Sequence, residues 1–158
     1  PYAVRGLAAM REVLDRFGDG LRFEIHYIAT AEGDGFRALH GQSEVDENIR
    51  QLCALKQQQG VRDAMGYIWC RGENIRSDDW KPCAVEGALD AARLGACATG
   101  EEGRRLLRED IGLAEDLGIK ASPTWLVNNK HKFNGIDAET ISKNICQHNP
   151  QFPACQAR

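Results

Sequence analysis

Six cysteines among 158 residues constrain this chain more than any other feature. They stand at 53, 70, 83, 97, 146 and 155, an even number, with no two closer than nine residues and no His pair at ligand spacing. Structural zinc sites place two cysteines within about two to four residues of each other, so a metal centre is a poor reading. Six free thiols are more than a chain of this size carries by chance in a reducing compartment. Structural disulfides in an oxidising, extracytoplasmic environment fit best.

Local geometry narrows the connectivity. Cys146 and Cys155 are nine residues apart across Pro150 and Pro153, so a bond between them pins a tail that proline prevents from continuing as helix. A helix expected over about 84–93 separates Cys83 from Cys97. Ten residues of helix span about 15 Å, whereas a disulfide needs its Cα atoms within about 7 Å. That disfavours Cys83–Cys97, and with it Cys53–Cys70, which leaves the same pair over. Of the two remaining arrangements, Cys70–Cys83 with Cys53–Cys97 is favoured over Cys53–Cys83 with Cys70–Cys97.

Composition excludes several partners. Twenty Lys and Arg against 23 Asp and Glu give a net charge of −3, and no basic block is present of the kind that binds phosphate backbones, so nucleic acid is not expected. The one dense basic stretch, Arg104, Arg105 and Arg108, is interleaved with Glu101, Glu102 and Glu109 and reads as a solvated helix face. No run approaches the roughly 18 apolar residues of a membrane span; membrane attachment is expected only through a segment upstream of Pro1. The length suits one domain over 1–158.

Apolar spacing of three and four places a helix from Pro1 to Phe17, with proline favoured at its first position. Phe23–Ile28 alternates like a strand. Ser43 and Asp46 suggest a capping box for a helix carrying Val45, Ile49, Leu52 and Cys53, and Val61–Trp69 has an amphipathic helical period. A short helix over about 84–93 and a longer one capped by Thr99-x-x-Glu102 follow. Then Pro123–Val127 reads as a strand, Asn128-Asn129 as a hairpin turn, Lys132–Asn134 as the return strand, and Asp137 as the cap of a last helix ending near Cys146. His26 reads as a structural sheet histidine and His40 as a loop hydrogen-bond partner. Met65, Ile68 and Trp69 read as core.

Gly118-Ile119-Lys120-Ala121-Ser122-Pro123-Thr124 followed by Trp125-Leu126-Val127 resembles the cis-proline loop of the thioredoxin and DsbA superfamily. The resemblance implies a cis Ser122–Pro123 bond and a substrate-binding loop at Ser122, Pro123 and Thr124, where an extended peptide pairs with the exposed backbone. Pro1-Tyr2 similarly resembles the centre of the C-P-x-C active-site motif, with Ala3 at the second cysteine position and the nucleophilic cysteine expected just before Pro1. Leu39-His40-Gly41-Gln42-Ser43-Glu44 with Asn48 and Cys53, Trp80-Lys81-Pro82-Cys83-Ala84, Cys97–Gly103 and the Cys146–Cys155 tail are similar to gamma-interferon-inducible lysosomal thiol reductase and its bacterial relatives.

These resemblances imply an α/β, thioredoxin-like fold with a helical insertion over about 43–118, between a βαβ-type first half and a C-terminal ββα half. They imply a thiol–disulfide oxidoreductase or isomerase acting on polypeptide disulfides, without cofactor or metal. The alternative is a redox-inactive module of the same fold that binds a peptide or partner protein. A sheet of that kind also needs a strand before the first helix, so about ten or more residues are expected upstream of Pro1, unless a neighbouring chain donates the strand.

Overall fold

The computed structural model describes residues 2–58 and 60–156; Pro1 therefore lies outside the described residues. In chain order the elements are α1 (Tyr2–Phe17), a 3-10 turn (Gly18–Gly20), β1 (Thr30–Glu32), β2 (Gly35–Arg37), α2 (Gln42–Gln57), α3 (Val61–Glu73), α4 (Lys81–Glu86), α5 (Ala91–Thr99), α6 (Glu101–Asp116), β3 (Trp125–Val127), β4 (His131–Phe133), α7 (Ala138–His148) and α8 (Pro153–Gln156). The described residues are mostly helical, with two separate two-stranded antiparallel sheets. Contacts divide the chain into two compact units, one built from the residues up to Phe23 together with those from Ala121 onward, the other from Glu24–Lys120.

In the first unit α1 buries Gly6, Met10, Val13, Leu14 and Phe17, one stripe at helical spacing, and packs against α7. The β3–β4 hairpin pairs Trp125 with Phe133 and Val127 with His131. Its turn is the expected Asn128-Asn129, both with positive φ, at 55° and 54°, as a primed turn requires. Asp137 caps α7 by accepting from the Thr140 N–H at 2.8 Å. The tail forms the short helix α8, where the prolines suggested none, and returns to the end of α1. Phe152 meets Phe17 edge-on at 5.5 Å and lies so close to Gly20 that a Cβ there would stand 2.5 Å from its ring.

The second unit gathers α2 to α6 around Val45, Ala54, Ala64, Met65, Ile68, Leu94 and Leu107, all buried; Trp69, expected in this core, is only half-buried. A Cβ on Gly103 would stand 2.5 Å from Ile49 Cγ2 and 2.6 Å from the Cys97 carbonyl oxygen, so the absence of a side chain lets α6 approach α2 and α5. Gly103→Ala should cost about 1–3 kcal/mol, since backbone cannot yield cheaply. Gly112→Ala on the same helix meets nothing within 4 Å and should stabilise by about 0.5–1 kcal/mol. Urea midpoints of the two variants moving in the same direction would contradict this packing.

Several expectations are corrected. Phe23–Ile28 forms no strand. Its side chains keep the alternation, Phe23, Ile25 and Tyr27 being half-buried and Arg22, Glu24 and His26 exposed. The Tyr27 N–H, however, donates to the Asp110 carboxylate at 2.6 Å instead of to a neighbouring strand. The hairpin nearby is β1–β2, closed over Gly33 at φ +54°. Helix α2 starts at Gln42 after Gly41, at φ 89°, without a side-chain cap; Ser43 thus falls inside its first turn, and Asp46 accepts from Gln42 at 2.8 Å. The helix expected over 84–93 is two helices, α4 and α5. Asp90 accepts from the Ala92 and Arg93 N–H groups and so begins a new helix inside that span. Thr99 caps nothing; its hydroxyl donates back to the Gly95 carbonyl at 2.9 Å.

Candidate functional site

The candidate site lies in the first unit, where the opening turn of α1 and the 121–124 loop meet through Gly6. That residue stands one turn along the helix from Tyr2 and Ala3. A Cβ on it would come 3.1 Å from the Trp125 ring and 3.6 Å from Pro123 Cγ, so glycine lets the helix lie directly on the loop. Tyr2 is 62% exposed and Ala3 half-buried. The Ser122–Pro123 peptide bond is cis.

Side chains fix the loop from below. Trp125 Nε1 donates to the Gly135 carbonyl at 2.8 Å, its ring stacks on Phe133 at 6.2 Å and lies 6.3 Å from Phe23. Asn134 Nδ2 donates to the Pro123 carbonyl at 2.9 Å, and the Thr124 hydroxyl to the Ala121 carbonyl at 2.6 Å. Among the described residues nothing bonds the Ser122 N–H or C=O, and Ser122 is exposed. One donor and one acceptor are therefore without a protein partner among the described residues, beside a half-buried proline and a held aromatic ring, and backbone groups left in this way can pair with an extended peptide.

All six cysteines are bonded, leaving no free thiol among them. Cys53–Cys97, Cys70–Cys83 and Cys146–Cys155 have Cα separations of 6.0, 5.4 and 5.3 Å. These are the pairs the spacing favours, although the helix used to separate Cys83 from Cys97 is broken in two. The expected nucleophile position falls before Pro1 and so outside the described residues. His40 is a loop hydrogen-bond partner: its N–H and Nδ1 both lie within 3.1 Å of Glu44 Oε2. Among the described residues no group of three or more His, Cys, Asp or Glu is placed to hold a metal.

A buried polar chain in the second unit has no counterpart in the sequence reading. His26 Nδ1 lies 2.8 Å from Asp110 Oδ1. The Tyr27 hydroxyl donates to Gln51 Oε1 at 2.5 Å, and Gln51 Nε2 to Glu47 Oε1 at 2.9 Å. The other Glu47 oxygen receives Arg50 Nε at 3.0 Å and Arg71 Nε at 3.1 Å. Arg71 is 1% exposed and Glu47 5%. The guanidinium also donates to the Asn74 and Ser77 carbonyls, at 3.3 and 2.8 Å, holding the irregular stretch inside the Cys70–Cys83 loop. Burial and the Glu47 charge push the Tyr27 and Tyr67 hydroxyls well above their ordinary pKa, and both remain neutral. The signal was helical spacing: Arg71 follows Tyr67 and Ile68 on the buried face of α3, and Asp110 follows Leu107 on that of α6.

The hydrogen bond to Asp110 raises the His26 pKa above its ordinary value, against partial burial. A group whose pKa is raised on folding stabilises below its unfolded pKa, and that contribution is lost as pH rises through the folded value. The pair should therefore add stability below about pH 6.5 and lose it above. Asp110→Asn should flatten the change in urea midpoint between about pH 5.5 and about pH 8.5; an unchanged slope in both Asp110→Asn and His26→Gln would rule this out.

The chain matches no described protein family, and no characterised protein matches it in sequence.

Proposed function

We propose that this chain is a thioredoxin-like, DsbA-like domain of an extracytoplasmic protein that exchanges disulfides with polypeptide substrates. The supporting observation is the exposed Ser122, its backbone without a partner among the described residues, beside the cis Pro123 in a loop fixed by Trp125 and Asn134 and lying against α1 at Gly6. Three disulfides suit the oxidising environment in which such an exchange operates.

In this reading a polypeptide lies along 122–124, and a cysteine immediately before Pro1 stands at the N-terminal end of α1. The unpaired N–H groups and dipole of that helix end favour thiolate over thiol. The thiolate attacks one sulfur of the substrate disulfide. A mixed disulfide forms, and the other substrate sulfur leaves as thiolate and takes a proton from water. With Ala3 where a second cysteine would resolve the adduct, an external thiolate must attack the protein sulfur to release the substrate thiol.

Ala3 favours a second reading, a redox-inactive domain that uses the same loop to hold a peptide. The test separates the two. Pro1–Arg158 should be inert in insulin reduction. Addition of one cysteine before Pro1 should give stable mixed disulfides with a disulfide-bearing peptide, and Ala3→Cys in that chain should raise turnover at least ten-fold. A reduced, alkylated peptide should shift the amide signals of 121–124 and 2–6 in either reading. Shifts without adduct formation support the second reading, and no shift at the loop overturns both.

A further inference from the structure

We propose that His131 and His148 form an acid-sensitive latch between the β3–β4 hairpin and the C-terminal end of α7, a property that does not depend on the exchange reaction. The rings lie face to face, 3.7 Å apart and 6° from parallel, and both residues are half-buried. Parallel stacking keeps the ring lone pairs in separate planes instead of aiming them at one centre, so the pair is no metal chelate; it is a ring-on-ring contact. Among the described residues neither imidazole has a carboxylate within ion-pair distance, in contrast to His26 with Asp110 and Glu24.

Lys130 precedes His131 at the hairpin turn, and burial, His148 and Lys130 all hold the His131 proton off. On α7 the charged residues Glu139 and Lys143 lie a turn or more toward the N-terminus. Charges on both rings would repel across 3.7 Å, so protonation of the pair works against the stacked arrangement. The same seam holds one further link, Asn128 Nδ2 to Asn149 Oδ1 at 3.2 Å. Anchors on either side do not titrate in this range: the Cys146–Cys155 bond, and the Trp125 side chain seated on Phe133 and Gly135. Acid should thus free the hairpin tip, residues 127–131, while α1 and the rest of α7 stay in place.

The test is amide exchange by NMR at about pH 7 and about pH 5, corrected for the intrinsic pH effect, together with titration of the histidine ring protons. Exchange at residues 127–131 should accelerate at least ten-fold at the lower pH while Val13 and Leu14 do not change. His131 should titrate below the ordinary histidine range. His148→Phe keeps a flat ring without a charge but leaves His131 covered; it should move His131 part of the way toward its ordinary value and reduce the acid dependence, whereas His131→Phe should remove it. Wild-type exchange that is equal at the two pH values, or an acid dependence that persists in both variants, overturns the proposal. The wild-type measurement decides alone if the variants fail to fold.

Discussion

Glu47→Ala should destabilise the protein by about 3–5 kcal/mol, the cost of leaving buried charge uncompensated. Among the described residues Glu47 is the one carboxylate that both Arg50 and Arg71 touch, at 3.0 and 3.1 Å, and the Arg71 side chain is 2% exposed. Its removal strands a guanidinium that water cannot reach, and Gln51 loses the acceptor that orients it toward Tyr27. Arg71→Met should also cost several kcal/mol, since among the described residues it leaves Arg50 as the one charged partner of the Glu47 carboxylate and frees the Asn74 and Ser77 carbonyls. The double variant Glu47→Leu/Arg71→Met should recover part of the loss, because an apolar pair of similar volume removes the need to solvate either charge. Recovery should be incomplete, as nothing then holds the 74–77 turn. Urea unfolding followed by circular dichroism measures all three; single-variant losses below about 1 kcal/mol would mean that water reaches the pair.

Reading along the chain locates elements whose signals are local and fails where a distant group decides. Helix α1, the Asn128-Asn129 turn and the Asp137 cap each rest on neighbouring residues, and each stands where the sequence places it. The strand expected at Phe23–Ile28 does not form, because a strand is completed by its partner. Here a carboxylate 83 positions away takes the Tyr27 N–H. Asp90 and Thr99 show how weak single-residue cap signals are. Both have capping chemistry, yet Asp90 starts α5 whereas Thr99 bonds back into the preceding turn. The Glu47–Arg71 pair was hidden for a related reason: charged residues in amphipathic helices ordinarily face solvent, and their two helices become neighbours only in the folded unit. The candidate site is intermediate. The loop motif is legible at 121–124, but the contact that brings α1 to it rests on Gly6, which carries no chemical signal of its own.

The three disulfides should differ in what their removal costs. In the chain-entropy account, closing a longer loop restricts the unfolded chain more. The bonds Cys53–Cys97, Cys70–Cys83 and Cys146–Cys155, with sequence separations of 44, 13 and 9, contribute about 4, 3 and 2.7 kcal/mol. Packing strengthens the contrast. Cys53 is 2% exposed on α2, and its bond ties that helix to α5 within a core where Gly103 already brings α6 into contact with Ile49 and the Cys97 carbonyl. Cys53→Ala/Cys97→Ala should therefore lose about 4 kcal/mol and leave smaller voids in a tightly packed region. Cys146→Ala/Cys155→Ala should lose less, because Phe152 on Phe17 and the Arg16 bond to the Ala154 carbonyl still hold the tail. Access runs the other way: Cys146 and Cys155 are both half-buried, whereas Cys53, Cys70 and Cys83 are buried. Limited reduction followed by alkylation and peptide mapping should open Cys146–Cys155 first and Cys53–Cys97 only as the second unit unfolds. Alkylated Cys53 recovered from protein that is still folded would show that burial does not control the order, and equal stability losses for the two double variants would remove the loop-length argument.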